Sequence, residues 1–418
     1  MRPSLALRAV LPGLILCNLV LAVLGIFLTR SPRAPSASQP SQPSQSSQPP
    51  QPWQSSQPAR GEALADRGGR LRAVSRYSTQ VLSEYMTAAA RAPWIFLGGV
   101  GGITVLKLDE DGVPTLATRQ DAGVPYRMLL QGNVLLTADR RGGLVAHDVS
   151  QPQTPRRLWA YHAGAPVYGM AARDGTLALA AAGEGLLLMD WPRADQAPQL
   201  KARHTADGDA RDVAWKDDGS LVLGLAKGGL RMLRVDASGN PAVVGRLPLK
   251  GIVSRIQTRG SRVYVALGAF GLASVDVSDP DTPRLLSLLP SRHAVVDLAV
   301  HKDHVLAAEW EGIRMVRDGK SGLVASATAS LADGPDTHAM ITAAGFVGSR
   351  PFAVTWHGFH LLALDQARPD KSGAADERPP PAPGIMAPDF ELPVIDASSV
   401  SLRQFRGRPV MLFFFSDG

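Results

Sequence analysis

GLASVD, Gly271 to Asp276, is one of seven copies of a glycine-to-aspartate phrase. The others are GITVLKLD from Gly102, GLVAHD from Gly143, GLLLMD from Gly185, GLRMLRVD from Gly229, GIRMVRD from Gly312 and GFHLLALD from Gly358. Successive glycines stand 41 to 46 residues apart. A period of roughly 40–45 residues made of strands marks one propeller blade per repeat. No such unit buries its own apolar faces alone, so seven copies predict one closed ring. The expected fold is all-β, a seven-bladed β-propeller.

The repeat from His293 shows how one blade is written. HAVVDLAVH reads as a first strand, Lys302-Asp303 as a turn, HVLAAEW as a second strand and Glu311-Gly312 as the next turn. IRMVRD and LVASATA follow as third and fourth strands across a Gly-rich turn from Asp318 to Gly322. Short apolar runs bounded by Gly and Asp are the pattern of four short strands. Matching first turns occur at Gly132-Asn133, Asp174-Gly175, Asp218-Gly219 and Gly260-Ser261.

A second marker leads into the fourth strand, as DVSQPQTPRRL from Asp148 and DVSDPDTPRLL from Asp276. An Asp or Ser that bonds the backbone ahead, followed by prolines with fixed φ, reverses the chain. With GLASVDVSDP, these phrases closely resemble the LVIVD-repeat family over residues 80–366. The resemblance implies a propeller, in an extracytoplasmic setting, and little about chemistry. The seventh repeat lacks a fourth strand after Asp365. LRAVSRYST, Leu71 to Thr79, has strand character and is expected to supply it, removing open strand edges.

Five segments follow from composition. Residues 1–30 read as a signal anchor or transmembrane helix: Arg2 and Arg8 precede an apolar stretch from Leu11 to Leu28, just long enough for a bilayer core. Residues 31–68 are a Pro/Ser/Gln-rich linker that cannot bury enough apolar area to order itself. Residues 69–366 are the propeller and 367–383 a Pro-rich linker. Residues 384–418 carry APDFELP, SLRQFRG and the strand PVMLFFF. In that order these resemble the opening of a thioredoxin-like redoxin domain, of the TlpA or AhpC/TSA type. The resemblance implies a thiol chemistry whose cysteine would follow Gly418; the abrupt stop after FFFSDG favours a piece of a longer protein over a vestigial tail left by a premature stop.

The bulk numbers exclude some classes. A net charge of +7 over 418 residues, without a run of basic residues, argues against a nucleic-acid partner. The single cysteine, Cys17, lies in the apolar N-terminal stretch, so no internal disulfide or Cys-based metal site is available. GGVGG, Gly98 to Gly102, is followed by strand rather than by the helix a dinucleotide loop needs. His301/His304 and His357/His360 have metal-like spacing, but on a strand residues three apart face opposite ways. No catalytic, cofactor-binding or metal-binding residue is assigned, and no cofactor is expected.

The chemistry left is collective. In a propeller, second-to-third strand turns and the starts of first strands share one face. That face would display Arg140, Arg141, Glu184, Lys227, Phe270, Trp310, Glu311, Trp356 and His357. Tyr126, Arg127, Tyr168, Arg211, Arg255, Asp297 and His338 would crowd its channel mouth. The candidate binding rim is therefore Tyr126, Arg127, Arg141, Tyr168, Arg211, Arg255, Trp310, His338, Trp356 and His357, because interfaces enrich aromatics and arginine. The expected function is a membrane-anchored, extracytoplasmic binding or scaffolding module for a protein or small-molecule ligand. The alternative is a thiol-disulfide oxidoreductase or peroxiredoxin.

Overall fold

The structure, a computed structural model, describes residues 69–79, 84–319, 322–331, 340–365, 391–393 and 399–401. It opens with β1 (Gly69–Ser78). Blades then follow in chain order, each an antiparallel meander. The first holds β2 (Thr87–Arg91), β3 (Trp94–Gly99), β4 (Gly102–Leu108) and β5 (Pro114–Gln120). The second holds β6 (Arg127–Gln131), β7 (Val134–Ala138), β8 (Gly143–Asp148) and β9 (Arg156–His162). Next come β10 (Gly169–Arg173), β11 (Thr176–Ala180), β12 (Leu186–Asp190) and β13 (Gln199–His204). They are followed by β14 (Ala210–Trp215), β15 (Leu221–Leu225), β16 (Leu230–Val235) and β17 (Pro241–Leu247). The fifth sheet is β18 (Arg255–Arg259), β19 (Arg262–Ala266), β20 (Leu272–Asp276) and β21 (Arg284–Leu289).

The remaining propeller strands are β22 (Val295–His301), β23 (His304–Glu309), β24 (Gly312–Gly319), β25 (Gly322–Ala329), β26 (Ile341–Val347), β27 (Arg350–Thr355) and β28 (Gly358–Asp365). With β1 they form one eight-stranded sheet in the order β22-β23-β24-β25-β1-β28-β27-β26. Towards the C-terminus, β29 (Glu391–Pro393) pairs antiparallel with β30 (Ser399–Ser401).

The blade count is thereby corrected. Seven separate four-stranded blades were expected; five stand free, and the other eight strands make a single sheet. The cause is β1. It runs antiparallel to β28 from Arg70 to Ser78, and at Gly69 and Arg70 it also pairs in parallel with Ala327 and Thr328 of β25. A strand inserted where two outer edges meet can satisfy backbone groups on both its sides, which fuses what would otherwise be two sheets. The helical part of the expected fold is not seen among the described residues. No helix among the described residues is long and apolar enough to cross a membrane. The expected anchor, residues 1–30, and all but two short strands of the expected redoxin segment, 384–418, lie outside the described residues.

The glycine of the repeated phrase has a physical cause. Gly102, Gly185, Gly229 and Gly271 adopt φ of +84°, +80°, +78° and +98°, a region that disfavours any Cβ. At each, a Cβ would collide with the last carbonyl of the blade's own outer strand, those of Gln120, His204, Leu247 and Leu289. At Gly358 the colliding oxygen belongs to Tyr77 of β1. The N-terminal strand thus takes, against β28, the place that an outer strand takes in the other repeats.

Apolar packing lies between neighbouring blades. Leu177, Leu187 and Met189 of one blade meet Leu136, Leu144 and Trp159 of the blade before it. Leu221, Leu223 and Leu233 meet Leu186 and Leu188 in the same way. The ring closes where Phe352, Val354 and Phe359 pack on Ile95, Leu97 and Leu106, joining the last repeat to the first blade. Arginines ending three first strands tie each blade to the next on the face opposite the repeated glycines. Arg91 donates to Gly132 O and Asn133 Oδ1, both at 2.7 Å, Arg173 to Asp217 O at 2.7 Å, and Arg259 to Asp303 at 3.0 Å.

Leu71 of β1 is fully buried among Leu306, Met315, Ala327 and Leu362, whereas Val74 of the same strand is exposed. Leu71→Ala is expected to cost about 2–5 kcal/mol in urea unfolding. Val74→Ala should cost under about 0.5 kcal/mol. Equal effects at the two positions would contradict the seating of β1.

Candidate functional site

At the face carrying the repeated glycines, the starts of the first strands converge on the channel. Three of those starts carry a β-bulge, at Arg211 in β14, Val296 in β22 and Thr342 in β26. A bulge inserts one residue and re-aims its neighbours. In β14 and β22 the re-aimed residue is an aspartate. Asp212 Oδ2 accepts the Ile256 N–H at 2.7 Å, and Asp297 Oδ2 accepts the Ala344 N–H at 3.1 Å. Each carboxylate thereby latches its blade to the first strand of the next. Thr342 Oγ1 makes the equivalent link by donating to Tyr85 O at 2.7 Å.

The two carboxylates face two arginines across the channel. Arg127 lies 3.6 Å from Asp212 and 3.9 Å from Asp297. Arg255 lies 3.8 Å from Asp212 and 3.3 Å from Asp297. These are ion-pair distances rather than well-formed hydrogen bonds. Arg127 also donates to Tyr168 O at 2.9 Å and reaches across the ring to Ser254 O at 3.4 Å. Two cations and two anions balance, and the Asp212 side chain is only 1% exposed. Burial, reinforced by the Arg255 charge, pushes the Arg127 guanidinium below its ordinary pKa against the pull of Asp212 and Asp297.

Beside this charged centre stands an aromatic arc. Tyr126 and Tyr168 meet edge to face, with ring centroids 5.8 Å apart. The guanidinium of Arg140 lies 4.2 Å above the Tyr126 ring, and that of Arg211 lies 4.2 Å above the Tyr168 ring. Nε of both arginines is withdrawn from solvent without a hydrogen-bond acceptor. The lead-in to β14 is fixed by Asp207, which takes a two-pronged grip from Arg231, at 2.9 and 2.8 Å, and a third bond from Arg246 at 2.9 Å. That grip, the Arg231 hydrogen bonds above all, holds the Asp207 carboxyl down at about 2.

The expected rim divides. Tyr126, Arg127, Tyr168, Arg211 and Arg255 come together at the mouth. Arg141 is exposed on the second-to-third strand turn, its N–H bonded to Asp139. Trp310 and Trp356 serve through their backbones: Trp310 O accepts from Ile341 N, and Trp356 O accepts from Tyr85 N. His357 is exposed, with its carbonyl bonded to Thr79 N. His338 lies outside the described residues. The sequence reading missed Asp212. Its signal was the shared pattern of Arg211-Asp212-Val213 and Val296-Asp297-Leu298 at one repeat position. Among the described residues, no group of His, Cys, Asp and Glu could hold a metal ion.

No protein-family model matches this chain, and no curated protein matches it. Solved propellers do. The β-propeller domain of Myceliophteria thermophila Cps50 (Swd1) aligns with a TM-score of 0.56 at 13% identity, covering 71% of this chain and 100% of that one. The WD40 β-propeller domain of Doa1 aligns at 0.57 and 9% identity, covering 71% and 98%. The computationally designed protein Ika8 aligns at 0.52 and 14% identity, covering 70% and 100%. At such identities the likeness shows the fold alone, a β-propeller.

Asp212→Asn should keep the shape of the latch while leaving Arg127 and Arg255 undercompensated, at a cost on the order of 3 kcal/mol. Urea unfolding checks this, and a cost below about 0.5 kcal/mol would contradict the network. Acid supplies a second check. The Asp207 carboxyl is depressed from 3.8 to about 2, so its stabilisation is complete above pH 3.8 and is lost as pH falls through about 2. Asp207→Asn is expected to flatten the fall in the urea midpoint between pH 4 and pH 2.

Proposed function

We propose that the protein is a binding module whose glycine-turn face receives a protein partner, held outside the cytoplasm by the N-terminal anchor and its Pro/Ser/Gln-rich stalk. The observation that carries this reading is the Arg140–Tyr126–Tyr168–Arg211 arc at the channel mouth. Tyr and Arg dominate the energetics of protein interfaces because they pair apolar area with directional donors. The balanced Arg127–Asp212–Arg255–Asp297 centre favours surface recognition over a deep small-molecule pocket. Propellers of the WD40 kind, to which this fold is similar, commonly mediate protein interactions. The order of anchor (1–30), linker (31–68), propeller (69–366), linker (367–383) and redoxin-like segment (384–418) belongs to the same proposal, on the composition and motifs given above.

A second reading keeps the redoxin resemblance of residues 384–418, in which the propeller positions substrate for a thiol chemistry. Cys17 lies in the apolar N-terminal stretch and could not serve it. That reading stands on a cysteine beyond Gly418, which sequencing onward and a thiol titration of the longer product would reveal.

A photo-crosslinking residue placed at Phe270, exposed on the glycine-turn face, is expected to capture a protein in cells. The same probe at Leu286, exposed on the outer strand β21, is expected to capture none. Capture from Leu286 alone would contradict the proposed face. An alkaline phosphatase fused after residue 366 should be active and a β-galactosidase fusion inactive; the reverse pattern would place the propeller inside the cytoplasm.

A further inference from the structure

Arg140 and Arg211 stand apart from the arginines around them. Nearby, Arg231 holds Asp207, Arg203 holds Glu184, and Arg314 meets Glu309 at 2.6 Å. Arg127 and Arg255 share Asp212 and Asp297. Arg140 and Arg211 have no ion pair among the described residues, and their recorded partners are the faces of Tyr126 and Tyr168. Stacking uses only the face of a guanidinium. Its N–H donors lie in the plane, in a fork that matches the two oxygens of a carboxylate. At both residues Nε is shielded from water and has no acceptor, so a donor is held desolvated and unpaired. Nε itself is closed to water, so an incoming acceptor would meet the Nη groups of these half-buried side chains, where charge-assisted hydrogen bonds form.

The surrounding charges have been assigned elsewhere. Asp139, adjacent to Arg140, spends Oδ1 on the N–H groups of Arg141 and Gly143 at 2.8 Å each. Asp212, adjacent to Arg211, is committed to Ile256 and the channel arginines. Asp209 is exposed. Two stacked, preorganised guanidiniums therefore bracket the tyrosine pair with no carboxylate committed to either.

We infer that the arc is a carboxylate-binding site that takes an acidic segment of the partner, with Glu or Asp side chains bound edge-on by Arg140 and Arg211 and their stems lying on Tyr126 and Tyr168. This rests on the docking reading above and names its chemistry.

The full chain would be titrated against a fluorescein-labelled peptide of alternating Glu and Gly, its Gln–Gly counterpart and a phosphoserine–Gly counterpart, read by anisotropy at low ionic strength. The Glu peptide is expected to bind and the Gln peptide not to. Arg140→Gln and Arg211→Gln should each weaken binding on the order of tenfold. Arg140→Lys and Arg211→Lys keep the charge without the planar fork and should fall between wild type and the Gln variants. Arg156→Gln, on the outer strand β9 and 75% exposed, removes the same charge and should bind as wild type. Thermal melts establish that the variants fold, and the Lys variants carry the test if a Gln variant does not. Equal binding of Glu and Gln peptides, wild-type affinity in the double Gln variant, or binding of the phosphoserine peptide alone would overturn the assignment. Crosslinks from Phe270 that persist in the double Gln variant would overturn it while sparing the docking reading. Absence of Phe270 crosslinks in the wild type would instead remove the docking reading itself.

Discussion

The pairing of β1 with β28 is the constraint on which the remaining structure depends. Eight residues of β1 meet eight of β28 in antiparallel register, from Arg70↔Asp365 to Ser78↔Gly358. A ring of stacked sheets is stabilised through the interfaces between neighbouring blades, and closure supplies the last of them. Here the first and last strands of the propeller make that closure. The strand that follows β1 by a short connection opens the first blade, so one covalent segment is clamped into the last repeat and leads directly into the first.

From that closure the channel geometry follows. First strands held shoulder to shoulder bring Asp212 within reach of Ile256, Asp297 within reach of Ala344, and Thr342 within reach of Tyr85. The latches run from one blade to the next, so each positions the following strand. Arg127 crosses the ring to Ser254, which requires the second and fifth blades to be fixed relative to each other. A buried charge network of this kind is a weak source of net stability but a strong source of unique geometry, since a misplaced strand would strand a charge without its partner. The Tyr126–Tyr168 arc is set on that frame, and its two arginines owe their fixed orientation to it.

Much of the fold was legible in the sequence because its markers have local causes. At Gly102, Gly185, Gly229 and Gly271 the repeated glycine is fixed by positive φ and by an outer-strand carbonyl lying against it. The Asp-Val-Ser turns are fixed by Asp148 and Asp276, which accept the N–H groups of Ser150 and Ser278 at 2.9 and 3.0 Å. The strand character of Leu71 to Thr79 was likewise visible. The fusion of two sheets into one was not, because two parallel pairs at Gly69 and Arg70 leave no pattern in composition or spacing. Of the site, the tyrosines and Arg127, Arg211 and Arg255 could be placed by counting along the repeat. Asp297 was placed in the same way; Asp212 holds the same repeat position and was passed over, its inward aim being set by the bulge at Arg211. The stacking of Arg140 on Tyr126 could not be placed so, because it depends on how a turn folds back over the start of its own blade.

Hydrogen exchange on a chain beginning at residue 84, compared with the intact chain, tests the closure most directly. If β1 completes the ring, its loss should raise amide exchange in β28 and, cooperatively, in the neighbouring first strands β26 and β2. Unchanged protection in β26 and β2, with exchange confined to the bared edge of β28, would show that the ring closes without its N-terminal strand.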